Sequence, residues 1–151
     1  MLWQQILLFF ACLSQLNAKI PFDGVIHYSS DGTAYAFLSP PKTGDHASFI
    51  EQLTPSGTLA VAYFTGGEAT ANCSIAVSLL PFGSDKFTPG VIVSERVNYS
   101  NQNPVLYWDN QTKILHLYHS SQLGNAGETK AEIWHLQSAD QGIKIFSWNK
   151  F

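Results

Sequence analysis

The chain is poor in positive charge and contains a single arginine, Arg96. It has 151 residues and a formal net charge of -3. Nucleic acids and anionic membranes are bound by clustered lysine and arginine side chains. The composition therefore excludes both classes of partner. An apolar content of 45% is ordinary for a folded domain and argues against a disordered chain.

Long hydrophobic runs are also missing, and the one near the N-terminus is short. It covers Ile6–Cys12 and is followed by Leu16-Asn17-Ala18, which places a small residue at a possible cleavage point. A membrane anchor is the alternative, but a spanning helix needs about 20 apolar residues. We therefore predict a secretory signal peptide over residues 1–18 and, after its cleavage, a secreted or lumenal protein without a membrane span.

Cysteine is scarce as well. Cleavage of the signal peptide would remove Cys12 and leave Cys73, so no disulfide could form within the mature chain. A single thiol in an oxidising compartment is either buried or paired with another chain. Burial is favoured here, because Cys73 begins an apolar run and cysteine packs as a small hydrophobe. Sequons at Asn72, Asn98 and Asn110 predict a glycoprotein with these three sites in exposed loops.

A helical period of useful length is absent from the mature sequence, and short strand-like runs occur in its place. One group of three runs is repeated after roughly 55 residues, a period typical of propeller blades. The first group is His46–Leu53, Leu59–Phe64 and Cys73–Leu80, and the second is Asn103–Trp108, Lys113–His119 and Ala131–Ser138. A repeat built from short strands predicts a tandem array of small antiparallel sheets.

The loops between these runs support the same interpretation. Pro55-Ser56-Gly57 and Asp109–Thr112 are each predicted to form the first hairpin turn of a repeat. Asp31-Gly32 lies between two further runs and predicts an N-terminal hairpin. Leu59–Phe64 and Ile75–Leu80 carry apolar residues on both faces, which is typical of strands that lie between neighbouring sheets.

We accordingly expect an all-β fold, a partial β-propeller of about two blades preceded by an N-terminal hairpin. The predicted domain organisation is a signal peptide (1–18), a hairpin and linker (19–43) and an incomplete propeller domain (44–151). Ser39–Gly44 is the predicted boundary, since its two prolines and glycine interrupt the strand pattern.

Several motifs resemble those of the sialidase (neuraminidase)-like domain with BNR, or Asp-box, repeats. The Asp-box pattern is S-x-D-x-G-x-T-W. Ser138, Asp140 and Gly142 match its serine, aspartate and glycine, whereas Lys144-Ile145-Phe146 stands where Thr-Trp is usual. The resemblance covers about residues 44–147. It rests also on His46-Ala47, Tyr63-Phe64 before Gly67-Glu68, Phe87-Thr88-Pro89 and Asn103-Pro104-Val105-Leu106. It implies the N-terminal part of a six-bladed propeller related to glycoside hydrolases.

The resemblance also implies what the chain lacks. Sialidases hold the substrate carboxylate with three arginines and use an Asp acid/base with a Tyr–Glu nucleophile pair, a variant of the two-carboxylate scheme. The chain has only Arg96, and His46-Ala47-Ser48 stands where the family has Arg-Ile-Pro. We therefore expect no sialidase turnover by this chain alone. The substitution leaves room for lyase-type chemistry with a histidine base.

Four residues are candidates for contact with a terminal acidic sugar. Glu68 and His46 are the candidate catalytic residues, and Asn103 and Asp45 are weaker candidates for substrate binding. Each has an ordinary alternative: a solvated loop carboxylate for Glu68, a capped strand end for His46, and turn residues for Asn103 and Asp45. In the second repeat the counterpart of Glu68 is Glu128. Ser138, Asp140 and Gly142 are assigned to the structure of the Asp-box turn.

Metal binding is not expected from the remaining histidines. His116 and His119 are three residues apart on a predicted strand, so their side chains point to opposite faces. Neither a metal nor a cofactor is therefore predicted. The histidines considered for such a site are His116, His119 and His135.

The leading functional hypothesis is a secreted sialidase-like protein that acts on terminal acidic sugars, or descends from enzymes that do. The alternatives are a non-catalytic glycan- or protein-binding propeller module and a polysaccharide-lyase-type relative. A truncated product is a further possibility, and its exposed blade edges would favour self-association.

Overall fold

The fold is all-β, as the sequence predicts. A computed structural model describes residues 21–124, 126–140 and 149–150. The signal-peptide prediction and Gly142 of the Asp-box lie outside these residues. The strands are β1 (Ile26–Tyr28), β2 (Ala34–Ala36), β3 (His46–Leu53), β4 (Thr58–Thr65), β5 (Ser74–Leu80), β6 (Val91–Ser94), β7 (Tyr99–Asp109), β8 (Ile114–Leu123), β9 (Glu132–Ser138) and β10 (Asn149–Lys150), with a 3-10 turn at Glu128–Lys130.

Two antiparallel four-stranded sheets make up most of the molecule. Sheet 1 has the order β3-β4-β5-β6, and sheet 2 has the order β7-β8-β9-β10. Strands β1 and β2 form a separate hairpin around Asp31-Gly32, as predicted. The sheets do not close on themselves, and their arrangement is that of a partial propeller. Among the described residues, no helix is long and apolar enough to cross a bilayer.

The two sheets are structural repeats whose innermost pairs have the same register. His46 pairs with Phe64 at one end of β3–β4, and Gln102 pairs with Ser120 at the same end of β7–β8. Each inner strand then contains a β-bulge, with positive φ values of 44° at Ala47 and 53° at Asn103. These two residues stand 56 positions apart. The repeat of roughly 55 residues seen in the sequence is thus confirmed.

The first turn of each repeat is built alike. Gly57 and Lys113 have positive φ values of 74° and 60°. Each donates its amide over 2.8 Å to the carbonyl of the residue four positions earlier, Leu53 in sheet 1 and Asp109 in sheet 2. A glycine adopts this conformation without strain. Asp109 stabilises the second turn by accepting hydrogen bonds from the amides of the next loop residues.

The main core lies between the two sheets. Ala60, Ala62 and Phe64 of β4 face sheet 2 and pack against a layer that includes Leu115 and Leu117. All five side chains are fully buried. Burial of a leucine or phenylalanine stabilises a fold by roughly 1.5–3 kcal/mol, so this interface holds the two sheets as one unit.

The other face of sheet 1 is covered by the N-terminal hairpin. Val61 and Tyr63 of β4 pack with Phe87 in a second core, and Ala36 and Leu38 of the hairpin segment lie against them. Strand β4 is therefore covered on both faces, as its continuous apolar sequence predicts. Sheet 2 has no equivalent cover on its outer face among the described residues.

Strand β7 is longer than the sequence pattern predicts. The predicted run begins at Asn103, whereas the strand begins at Tyr99. The added segment contains Ser100, Asn101 and Gln102, which are polar yet buried. They satisfy one another or their neighbours; for example, the Asn101 amide donates to the carbonyl of Cys73 over 3.0 Å. The sequence did not indicate a buried strand here because these three side chains are polar. They find their hydrogen-bond partners inside the protein rather than in water.

Candidate functional site

Strand directions bring the starts of β3 and β7 to one end of the stacked sheets. This end carries Asp45, His46, Glu68 and Asn103, and we call these four residues the rim. The start of β3 and the loop after β4 touch, because a Cβ placed on Gly44 would lie 2.9 Å from the Gly67 nitrogen. The contact brings Asp45 and His46 to the end of sheet 1 that bears Glu68.

His46 begins β3 and is exposed. Its ring centroid lies 5.6 Å from that of Phe64, its ladder partner. Phe64 is fully buried, so it supports one side of the imidazole while the other side remains accessible. An exposed imidazole held in this way can donate or accept a hydrogen bond through its ring nitrogens. Asp45, also exposed, precedes it directly.

Glu68 and Asn103 are both exposed on short irregular segments of the rim. The loop that carries Glu68 is tied back by Thr70, whose hydroxyl donates to the Gly67 carbonyl over 2.8 Å. Asn103 occupies the β7 bulge, in the position that Ala47 has in β3. Since β3 packs against β7, Asn103 lies on the strand next to that of His46. Asn103 therefore lies at the same end of the stacked sheets as His46, but on the neighbouring sheet.

A cavity that the sequence does not reveal opens beside the rim. Its volume is about 740 Å³, and it lies between the N-terminal hairpin and the outer face of sheet 1. Asp45 and His46 line it. Its other walls are largely apolar and aromatic, and they include Phe22, Tyr35, Phe37, Leu59, Val61 and Phe87. This size and composition are typical of small-molecule sites, in which few polar groups orient a ligand against apolar walls.

The single arginine is engaged in contacts within the protein. The Arg96 guanidinium carbon lies 3.5 Å from the ring centroid of Tyr99 and 3.9 Å from that of Trp134. One guanidinium nitrogen donates to Ser121 Oγ over 3.0 Å and to Glu132 Oε2 over 2.9 Å. Its side chain is only 20% exposed. Arg96 therefore holds sheet 2 together, and its cationic face is covered by two aromatic rings.

A polar network around Lys42 also lies at this end of sheet 1. The Lys42 ammonium contacts Glu95 Oε1 at 2.6 Å and donates to Ser74 Oγ over 2.8 Å and to Asn72 Oδ1 over 3.2 Å. The hydrogen bonds from Lys42 and Ser74 lower the pKa of Glu95. These partners are 30 to 53 positions apart in sequence. No pattern of neighbouring residues in the sequence could therefore have identified this network.

One interior position of the repeat carries a side chain with a hydrogen-bonded polar group in both sheets. Tyr63 and His119 stand opposite the bulges of β3 and β7. The Tyr63 hydroxyl lies 3.2 Å from Ser78 Oγ, and His119 Nε2 lies 2.9 Å from Ser94 Oγ. Burial lowers the pKa of His119. Because Ser94 and His119 are both buried within the protein, this pair acts as an interior tie rather than as an accessible nucleophile and base.

The other sequence-based site predictions can be placed as follows. Cys73 is buried, as expected, and its thiol donates to the Asn101 carbonyl over 3.0 Å. Asn72, Asn98 and Asn110 are all exposed, and their glycosylation stays a prediction. Within the Asp-box segment, the Ser138 hydroxyl donates to the Asp140 carboxylate, a contact expected of a turn.

The histidines of sheet 2 differ in burial and in the face of the sheet on which they lie. His116 and His119 point to opposite faces, as predicted, since His119 is buried while His116 is half-buried on the outer face. The sequence did not predict that His135 would lie beside His116. No cluster of three or more His, Cys, Asp or Glu side chains suited to a metal ion occurs in the part of the chain that the structure describes.

Comparison with known proteins gives a structural likeness. No family model matches the chain, and no curated protein matches it. Among solved structures, the chain is similar to "Hadza microbial sialidase Hz136", with a TM-score of 0.60, 14% sequence identity and 72% of this chain covered. The matched part is 25% of that chain. This likeness shows a sialidase-like fold, and the presence of BNR or Asp-box repeats stays a prediction.

Proposed function

We propose that this chain is a secreted, sialidase-related carbohydrate-binding module that has no sialidase turnover by itself. The fold supports the carbohydrate class only by analogy, because one fold hosts many functions. The argument for function therefore rests on the rim and on the cavity beside it.

The absence of turnover follows from Arg96. A guanidinium fork can hold a carboxylate bidentately, but Arg96 already bonds Glu132 and Ser121 and lies between Tyr99 and Trp134. With no second arginine in the sequence, this chain does not supply the clamp that a sialidase uses. A retained binding function is compatible with that loss.

The observation that carries the binding proposal is the cavity with Asp45 and His46 in its wall. A sugar ring has apolar C–H faces and a polar edge of hydroxyls. Aromatic walls such as those of Tyr35 and Phe37 provide apolar surface for the C–H faces, and a carboxylate with an imidazole can bond the hydroxyls. Glu68 and Asn103 extend this polar edge along the rim.

A second candidate is catalysis on terminal acidic sugars, either hydrolytic or of the lyase type. It is favoured by the exposure of both His46 and Glu68 at one end of sheet 1, since a base and a carboxylate at a strand end are the groups that such chemistry needs. The Asp45 carboxylate weighs against it, because it would repel an acidic sugar unless a cation lies between them.

The purified full chain can separate these functions. We expect no release of fluorophore from a fluorogenic sialoside above the buffer rate, together with binding to a subset of glycans on an array. Asp45→Asn and His46→Gln should weaken that binding, whereas Asp85→Asn, which removes an exposed carboxylate outside the cavity, should not. Sialoside turnover would overturn the proposal in favour of the second candidate.

Secretion and assembly need separate measurements. Expression in a eukaryotic secretory system should deliver the protein to the medium, with a mass that falls after enzymatic removal of N-glycans. Size-exclusion chromatography then tests the module itself. A folded monomer that binds no glycan would refute carbohydrate recognition, whereas aggregates alone would support a truncated product that associates through its sheet edges.

A further inference from the structure

The wall of the cavity that sheet 1 provides changes from polar to apolar along its length. At the rim end it is formed by His46 and Ser48 of β3. Ile50 follows on β3 and pairs with Val61 of β4, and Leu59 lies two positions further from the rim along β4. These last three residues, all apolar, also line the cavity, and we call them the apolar wall.

The apolar wall extends well beyond the rim. Ile50 lies two positions from Ser48 along β3, and Leu59 lies a further two positions from Val61, the partner of Ile50. The wall thus continues for four positions beyond Ser48, or about 13 Å of strand. Leu80 of β5 pairs with Leu59 and lines the same end of the cavity. Sugar hydroxyls placed against these aliphatic side chains would lose water and gain no hydrogen bond from them. This part of the cavity therefore suits a group without hydroxyls.

Three large apolar or aromatic side chains in the cavity wall are exposed. Phe22 is 58% exposed, Ile50 57% and Tyr35 46%, and all three line the cavity. Two come from the N-terminal hairpin segment and one from sheet 1, so both walls contribute to the exposed surface. Single exposed apolar residues are common, whereas several that meet in one concavity mark a ligand site. An apolar group that covers them removes this surface from water.

The charge of the cavity disfavours an acidic ligand. Asp45 is the only acidic residue among the described residues that line it, and none of them is lysine or arginine. Lys42, at the same end of sheet 1, is paired with Glu95. A neutral sugar is suited to this end, because its hydroxyls can donate to the Asp45 carboxylate and bond the His46 imidazole and the Ser48 hydroxyl. We call Asp45, His46 and Ser48 the polar end.

We propose that the cavity binds neutral glycosides that carry an apolar aglycone, with the alkyl or aryl group along the apolar wall and the sugar at the polar end. The inference rests on the proposed carbohydrate-binding function and names the ligand class of that site. A free sugar would occupy the polar end alone and leave the apolar wall in water. The aglycone therefore supplies most of the affinity, and the sugar sets the orientation.

Nuclear magnetic resonance titration of the full chain with alkyl β-glucosides, from methyl to octyl and below their micelle-forming concentrations, tests this assignment. A parallel series of alkyl β-galactosides varies the sugar. Affinity should rise about fourfold with each added methylene, which is the factor that burial of one CH₂ provides. Octyl β-glucuronide, whose sugar bears a carboxylate, should bind more weakly than octyl β-glucoside, and Asp45→Asn should reduce that difference.

Matched variants separate the two ends of the cavity. Ile50→Thr keeps a β-branched side chain suited to a strand, and because the position is exposed the variant should fold as the wild type does. It should weaken octyl β-glucoside about fivefold and leave methyl β-glucoside unchanged. Ile133→Thr is the control, since Ile133 is an exposed isoleucine of β9 outside the cavity, and its replacement should change neither affinity. His46→Gln should weaken both glucosides by the same factor, because it alters the polar end alone.

Three results would contradict the proposal. If affinity were independent of alkyl length in both series while glycans on the array still bound, the aglycone assignment would be wrong and the carbohydrate-binding function would stand. If Ile50→Thr weakened octyl β-glucoside no more than Ile133→Thr does, the alkyl chain would lie elsewhere. If octyl tri(ethylene glycol), with the same alkyl chain and no sugar, bound as tightly as octyl β-glucoside and no glycan bound, the carbohydrate-binding function would fail and this inference with it.

Discussion

Arg96 is expected to be a structural residue of sheet 2, and its replacement should lower stability by a measurable amount. The informative variants are Arg96→Met, which keeps an unbranched stem and removes the charge, and Arg96→Lys, which keeps the charge and removes the planar group. The contacts at stake are two aromatic faces, at 3.5 and 3.9 Å, and bonds to Ser121 and Glu132.

The size of the effect follows from these contacts. A partly desolvated cation–π contact contributes roughly 0.5–2 kcal/mol, and the hydrogen bond to the buried Ser121 about 1 kcal/mol. Glu132 is 57% exposed, so its ion pair adds at most about 1 kcal/mol. Since these terms are not additive, we expect a loss of about 2–4 kcal/mol for Arg96→Met. Arg96→Lys should lose about half as much.

Urea unfolding followed by tryptophan fluorescence measures this loss. With a denaturant dependence of about 1–3 kcal/mol per molar urea, the midpoint should fall by roughly 1–2 M in Arg96→Met. Glycan binding should be unchanged at temperatures where the variant is folded. If Arg96→Met were as stable as the wild type yet lost affinity for acidic sugars, Arg96 would be a ligand-binding residue and the reasoning would be wrong.

Three further predictions concern the packing of sheet 1, the buried thiol and the buried imidazole. Gly44→Ala should destabilise the protein by about 1 kcal/mol more than Gly32→Ala. Both glycines have φ of 86°, but only Gly44 is in contact with Gly67; equal thermal midpoints would mean that this contact is unimportant. In a Cys12→Ser chain, Cys73 should resist a disulfide-exchange reagent until urea is added, because burial raises its pKa; rapid reaction without urea would contradict this. His119 has a pKa below its usual 6.5 because of burial, so the folded state binds its proton more weakly than the unfolded state. The stability it confers is complete above pH 6.5 and falls as the pH drops below that value, and unfolding curves between pH 7 and 5 should show a smaller decrease in His119→Gln.

The sequence predicted the elements of the fold better than their limits. The repeat could be found because Pro55-Ser56-Gly57 and Asp109–Thr112 interrupt two similar apolar patterns, and tertiary structure preserves both turns. The start of β7 was missed because Ser100–Gln102 are polar, and only their interior partners explain their burial.

The candidate site could be predicted only in part. The sequence indicated His46 and Glu68 through their places at strand ends. The cavity beside them depends on how the hairpin packs on sheet 1, which no local pattern specifies. In the same way, the contact of His116 with His135 arises from the register of β8 and β9, and a spacing argument along one strand could not reveal it.

The paired bulges give the inner strands one point at which their length can change. In β3, Ala47 and Ser48 together oppose Tyr63. Deletion of Ala47 would therefore leave Ser48 alone opposite Tyr63, and every other side chain of the strand would stay on its present face of the sheet. Deletion of Val61 from β4 would instead turn the following buried side chains toward the opposite face. We expect the first deletion to yield a folded protein and the second an insoluble one, a difference that soluble expression would measure. Single-codon losses can therefore accumulate at the bulges of such a repeat while its middle strands remain fixed in length.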